Sequence, residues 1–308
     1  MSTSATEGEH PTPARIGVTL PQFTGDGDAF TAAARRAEAS GLDSVWVFDH
    51  LWPLTGGKQR PVLEGWTALA WLAAVTDRIG IGTLVTRSTM RHPAVLAKMA
   101  ATVASVARGR VTVGIGSGDS RSRAENDAFG LPYLGGAERV AQLEDTVAVL
   151  RQHGRGAVSY RGPYVSVRGL PAGPRVARAP ALWVAGRSPA AIRVAGRLAD
   201  GWNSWGSTPE VFAEGVERLA DAAGDRIVEP TWGGIVVLAG TDAEARALAT
   251  ARRSAEDFVV GGPETVAERL CELVEAGARH LVLTLPNATE AEVFELVGER
   301  IRPAVARR

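Results

Sequence analysis

Lysine is almost missing from this chain: Lys58 and Lys98 are the only two in 308 residues, and arginine supplies the rest of the 34 basic side chains. These are balanced by 34 aspartates and glutamates, so the formal net charge is zero. No excess positive charge exists to condense on nucleic acid or on an anionic membrane surface, and partners of both kinds are set aside. Thiols are scarcer still. Cys271 stands alone, which excludes an intrachain disulfide, and its place in an amphipathic run reads as a small buried hydrophobe. No apolar run approaches the roughly 20 residues needed to cross a bilayer. The opening residues, rich in Ser, Thr, Glu and Pro, contain no signal-peptide core. Together these absences predict a cytoplasmic protein with a disordered tail over residues 1–13 and a single domain over 14–308.

What the sequence does contain is alternation. Short β-branched runs over residues 16–20, 44–48, 79–84, 111–115, 182–185, 201–204, 234–238 and 280–285 each end in turn-forming residues. Helical stretches separate them, over 29–39, 65–75, 94–107, 137–151, 189–198, 209–222, 242–252, 263–275 and 290–301, several opening on proline and closing on glycine. Near-continuous apolar strands alternating with helices predict an α/β protein of the (β/α)8 TIM-barrel class, in which parallel strands are buried on both faces. A doubly wound sheet is the alternative, and it would gather phosphate contacts around residues 114–118. The rhythm breaks over residues 154–180, where 158–160 and 164–167 flank an Arg-Gly-Pro turn. This predicts an inserted β-hairpin whose tyrosines cover a ligand.

In a barrel, chemistry collects at the carboxyl ends of the strands. The second strand ends in Asp49, His50 and Trp52, an imidazole beside a carboxylate able to exchange a proton near neutral pH. The third passes through Gly82 and Thr83, and a glycine inside a strand marks a bulge or a close approach. The fourth ends in Gly116, Ser117, Gly118 and Asp119, a turn that can bring backbone amides to a planar ring or an anion. The polar stretch 120–126 after it reads as a loop. The fifth runs into Ala185, Gly186, Arg187 and Ser188 before a helix opening at Pro189, where unpaired first-turn amides and the arginine suit a phosphate. Asp49, His50 and His92 lack the spacing of a metal-ligand set, so no metal site is predicted. Trp52, Tyr133, Tyr164, Trp202 and Trp205 are read as the wall of a substrate pocket. With so few lysines, that pocket suits an apolar or aromatic small molecule better than a sugar phosphate.

These residues resemble the luciferase-like monooxygenase superfamily, and within it the coenzyme F420-dependent oxidoreductases. The resemblance runs from residues 17–22 through 46–50, 78–84, 91–98, 109–118, 128–132, 182–188 and 198–203 to 262–285. It implies an eight-stranded barrel, commonly dimeric, holding a tricyclic cofactor at the strand ends. By position it implies that Asp49 contacts the ring and that His50 lies near its reactive carbon. Gly82 and Thr83 would lie under the ring, and Ala185, Gly186, Ser188 and Pro189 would hold the phosphate. Asp119 stands where sugar-phosphate-oxidising members carry a glutamate acid, and Ser122 where they carry a cofactor-binding asparagine. Both are departures. The expected activity is hydride transfer between F420 and a small organic substrate, with His50 and Asp119 handling the proton. An FMN-dependent monooxygenase supplied with reduced flavin by a separate reductase, and a barrel that binds without turnover, are the alternatives.

Overall fold

Runs of valine, isoleucine and leucine too short for helices become strands wherever both faces can be buried. In the computed structural model, which describes residues 13–53, 57–174, 176–251, 258–288 and 290–308, such strands build the interior of the molecule. Apart from Pro13, the expected tail lies outside the described residues, as does the end of the helix expected over 242–252.

The chain opens with β1 (Arg15–Thr19), α1 (Gly27–Ala39), β2 (Ser44–Val47), α2 (Gly65–Val75), β3 (Gly80–Arg87), α3 (Pro93–Val106) and β4 (Val111–Gly116). A short helix α4 (Ser122–Ala128) and a long one, α5 (Gly136–His153), lead to the hairpin β5 (Val158–Arg161) and β6 (Ser166–Leu170). Alternation resumes with β7 (Ala181–Ala185), α6 (Pro189–Leu198), β8 (Gly201–Trp205), α7 (Pro209–Ala223), β9 (Glu229–Leu238), α8 (Asp242–Ala251), β10 (Val259–Gly261), α9 (Pro263–Glu275) and β11 (His280–Thr284). Helix α10 (Ala291–Leu296), one π-helical segment (Val297–Ile301) and α11 (Arg302–Val305) close the chain. Among the described residues, eight parallel strands form a closed barrel in the order β1, β2, β3, β4, β7, β8, β9, β11 and back to β1. The barrel predicted from alternation is the observed fold, and no described helix is long and apolar enough to cross a membrane.

Two expectations change. The strand expected at 234–238 starts at Glu229, and its first half closes the barrel against β8 and β11. Its second half, Val236 to Leu238, pairs instead with β10, a ninth strand that alternation did not mark because only three residues form it. The hairpin is present, but it sits between the end of α5 and the start of β7, the amino-terminal side of the barrel strands. It packs along α5, where the buried Asp145 carboxylate accepts from Tyr160 Oη at 2.7 Å and from the Tyr164 amide at 2.7 Å. Burial first, then this bond, pushes the Tyr160 hydroxyl far above its usual pKa. Tyr164 therefore belongs to the back of the molecule, and its expected place in the substrate wall is corrected.

The barrel interior is filled by tryptophans set against glycines. Trp46 and Trp183 stack with centroids 4.6 Å apart, and His280 meets them edge-on at 5.9 and 5.1 Å. Ser44 Oγ accepts from Trp46 Nε1 and lies 2.7 Å from His280 Nε2. Burial, with the Arg15 charge behind it, holds the His280 pKa well below the ordinary value. The ring is thus neutral, and one hydrogen bond joins its Nε2 to Ser44 Oγ. A Cβ on Gly82 would stand 2.4 Å from the Trp46 ring, and one on Gly201 2.5 Å from the Trp183 ring. Side chains at these two positions would overlap aromatic rings that have nowhere to go. Gly82→Ala should lower unfolding stability by about 1–3 kcal/mol, the usual cost of overpacking. A urea midpoint equal to that of the unaltered protein would mean that Trp46 moves aside freely.

Candidate active site

The parallel register carries four strand ends to one rim: Arg87 pairs with Gly116, Gly116 with Ala185, and Ala185 with Asn203. His50 follows three residues after β2 at the same end. Gly116, Ala185 and the β2 end that leads to His50 therefore lie at one end of the barrel.

His50 is held from behind. Its Nδ1 lies 2.8 Å from Glu125 Oε2, the other oxygen of the same carboxylate accepts the Leu51 amide, and Arg87 Nη2 stands 3.0 Å from Oε2. Glu125 is on α4 and is 1% exposed. Burial pushes its carboxyl upward, but the bonds from His50 and Leu51 and the Arg87 charge outweigh it, leaving the pKa below the ordinary glutamate value. An ionised carboxylate can only accept, so Nδ1 carries the hydrogen and Nε2 is the open nitrogen. Among the described residues Nε2 has no hydrogen-bond partner, and the side chain retains 20% exposure toward the mouth. Arg87 is locked in turn by Asn126 Oδ1 at 2.8 Å, and Asn126 donates to the Pro132 carbonyl. The stretch expected to be a polar loop is therefore a helix whose buried residues, Ser122, Glu125 and Asn126, all serve this network.

Asp49 is fully buried, and its carboxylate takes a bidentate clasp from Arg91 at 2.5 and 3.1 Å. Arg91 also pairs with Glu64, the N-cap of α2, whose carboxylate accepts the amides of Trp66 and Thr67. Burial lifts the Asp49 carboxyl and the arginine opposes it; the bidentate geometry requires the ion pair. The Asp49 side chain is a girder beneath the rim, which corrects its expected place against a cofactor ring.

Gly82 and Thr83 lie deeper than expected. They pair with Trp46 and Val47, a layer below the rim, with Thr83 Oγ1 donating to the Gly114 carbonyl at 2.8 Å. The register of β3 against β4 shifts between Thr83 and Thr86, across a cis peptide bond joining Leu84 and Val85. Val85, half-buried, is the side chain of β3 that a ligand at the mouth would meet, and a Cβ on Gly116 would come within 3.0 Å of it.

Asp119 caps the first turn of the α4 segment, its Oδ1 accepting from the Ser122 amide and hydroxyl, both at 3.1 Å. Its side chain is 59% exposed and near Arg121. Ser122 is buried, Ser117 is half-buried, and Gly118 has a φ of +74°, a left-handed value suited to glycine. At β7, Gly186 takes a φ of +141° and Ser188 caps α6, its Oγ accepting from Ala191 N at 3.2 Å; Pro189 is the first helical residue and Arg187 is exposed. Helix α6 thus presents its amino end to the rim.

Trp202 is not in the mouth. It is 1% exposed, stacks on Phe212 of α7 at 5.4 Å and donates to the Gly186 carbonyl, which corrects its assignment to the substrate wall. Phe48, at the β2 end, is buried, lies edge-on to Trp205 at 5.9 Å and stacks with Phe23 at 5.8 Å. Trp52 remains at the β2 end under the Lys58 ammonium, 4.0 Å from its ring centroid. Glu125, Arg87, Arg91 and Val85 were all missed by sequence reasoning. The one available signal was Gly130 closing a short segment that opens on an Asp-x-x-Ser turn.

The profile of the luciferase-like monooxygenase family matches residues 8–257. An F420-dependent glucose-6-phosphate dehydrogenase from Beutenbergia cavernae is 33% identical, over 88% of this chain and 91% of that protein. The chain belongs to the luciferase-like monooxygenase family. Another relative, an F420-dependent hydroxymycolic acid dehydrogenase from Mycobacterium tuberculosis, is 30% identical over 94% of this chain and 75% of that one. Among solved structures, the fold matches the F420-dependent tetrahydromethanopterin reductase of Methanopyrus kandleri with a TM-score of 0.76 at 21% identity, covering 94% and 99% of the two chains. An F420-dependent secondary alcohol dehydrogenase matches at 0.79 and 20% identity, covering 95% and 99%. The family fold therefore spans nearly the whole chain.

Because the folded-state pKa of Glu125 is depressed, its contribution to stability is complete above the ordinary glutamate value of about 4.3 and is lost as pH falls through the lower folded value. Glu125→Gln should cost on the order of 3 kcal/mol near neutral pH, since Arg87 would keep a buried charge without its counter-ion. The difference from the unaltered protein should shrink below about pH 4. Parallel pH-dependence curves for the two proteins would contradict the ion pair.

Proposed function

We propose that this protein is a coenzyme F420-dependent oxidoreductase that moves a hydride between the deazaflavin and a small organic substrate. The observation that carries the reading is the His50 imidazole, fixed through Nδ1 by an ionised Glu125 with Nε2 open at the barrel mouth. That the relatives described above include F420-dependent dehydrogenases supports the choice of cofactor.

The residues present suit such a group. Val85 and the bare backbone of Gly116, Ser117 and Gly118 offer a flat, low wall for a planar ring. Ser188, Pro189 and the amino end of α6, with Gly186 and the exposed Arg187 beside them, offer a seat for a phosphate. F420, when bound, supplies the hydride acceptor or donor. His50 does the complementary work: when an alcohol gives up a hydride from carbon, Nε2 takes the hydroxyl proton, and the Glu125 carboxylate stabilises the imidazolium that results. In the reverse direction the same nitrogen returns the proton to the carbonyl oxygen. Asp119 is exposed and engaged in capping, which favours His50 as the proton-handling group.

The walls of the mouth favour an apolar or aromatic alcohol or ketone. Phe23, Phe48, Trp52 and Trp205 gather at or after the carboxyl ends of β1, β2 and β8, and Lys58 is the single lysine beside them. Exposed apolar side chains on neighbouring helices, Trp71 of α2 and Val95 of α3, support a homodimer, and a lone cysteine suits a cytoplasmic location.

Titrating the purified protein with F420 and FMN in parallel should give saturable binding for F420 and much weaker binding for FMN. Preferred FMN binding with oxygen consumption would move the protein to the monooxygenase branch, and F420 binding without turnover on a panel of alcohols would make it a carrier. His50→Ala should retain F420 affinity within about threefold while turnover falls by a factor of about 10² to 10⁴, the usual range for a general base. Unchanged turnover would remove His50 from the reaction.

A further inference from the structure

A second cavity lies at the opposite end of the barrel. It has a volume of about 580 Å3 and is walled by the end of α5, the loop after the hairpin, the middle of α3 and the first residues of β7. Its lining includes Ala181 and Leu182 at the amino end of β7, so the length of the strand separates it from the rim that carries Ala185.

Three arginines, Arg151, Arg155 and Arg178, face one carboxylate, Asp200, in its walls. Arg151 is satisfied: it pairs with Asp200 Oδ1 at 2.7 Å, while Oδ2 accepts the Leu182 amide at 2.9 Å. Arg226, just beyond, is satisfied too, donating to the Gly196 and Ala199 carbonyls at the end of α6. Burial first, then the charges of Arg151 and Arg155, lower its pKa, while Asp200 opposes them. The Arg155 and Arg178 side chains have no ion pair or hydrogen bond among the described residues, whereas those of Arg151 and Arg226 are both engaged. His153, buried at the same wall, bonds the Pro171 carbonyl, so it offers the cavity no negative charge. The cavity thus holds two uncompensated positive charges above an apolar floor of Leu150, Val176 and Leu182. Concave walls concentrate such a field, and the guanidinium fork matches a phosphate or carboxylate.

We propose that this basal cavity binds a small organic oxyanion, a phosphomonoester or carboxylate with a short apolar body, at a site separate from the barrel mouth. Two cationic forks set the charge of the ligand, and a cavity of this volume sets its size at that of an ordinary metabolite.

Calorimetric titration with phenyl phosphate, benzoate and benzyl alcohol tests it, on the unaltered protein and on the double variant Arg155→Gln/Arg178→Gln. Both side chains are exposed and unpaired, so the variant should keep its melting temperature. Phenyl phosphate or benzoate should bind one per chain, weaken with added salt, lose at least tenfold in affinity in the double variant, and bind equally well to Trp205→Ala. Whichever of the two anions binds more tightly identifies the ligand head group. The proposal is overturned if neither anion binds, if the double variant binds as tightly as the unaltered protein, if Trp205→Ala abolishes binding, or if benzyl alcohol binds as well as the anions.

Discussion

A carboxylate placed out of reach of water must find charge and hydrogen bonds nearby or give up its ionisation, and at the barrel mouth Glu125 meets that demand. It draws His50 from the end of β2, Arg87 from the end of β3 and the Leu51 amide onto two oxygen atoms. The partners come from two segments, the β2 end and the β3 end, so the charge requirement also fixes how the helix after β4 docks. Arg87 carries the constraint outward through Asn126 to the carbonyl of Pro132. The imidazole orientation, its tautomer and the shape of the rim are consequences of one buried negative charge.

A second buried network braces the other side of β2. Asp49 and Glu64 share Arg91, which joins the β2 end, the amino cap of α2 and the segment before α3. Beneath both networks the barrel is solid: Trp46 and Trp183 occupy the room that Gly82 and Gly201 leave. Aromatic filling gives the rim a stiff platform, because stacked rings, with Trp46 held by a hydrogen bond to Ser44, have few alternative rotamers.

Much of the architecture was legible in the sequence because strand and helix periods differ and proline and glycine punctuate them. The helices over Gly65–Val75, Pro189–Leu198 and Pro263–Glu275 fall where those signals put them. The site was legible only in part. His50, Gly116 and Ala185 were readable because strand ends in a barrel must meet. Asp49 was misread because adjacency to His50 says nothing about direction: neighbouring residues at a strand end point to opposite sides. Trp202 failed for the same reason, being one residue out of phase with the inward-facing Asn203. Glu125 was invisible because a seven-residue helix has too few turns to display a period, and its value comes from contacts 74 and 75 residues away. The hairpin was recognised as an insertion and put on the wrong face, since its position depends on whether it follows a strand or a helix.

That last placement has a wider consequence. An elaboration joined behind the barrel, against α5 through Asp145, alters neither the height nor the width of the catalytic opening. Its length can change without moving the strand ends at the opposite rim. Exposed Pro163 at its turn is accordingly the natural place to attach a fluorophore or an affinity tag, whereas Gly162, where a Cβ would stand 2.1 Å from Asp145 Oδ1, must stay glycine.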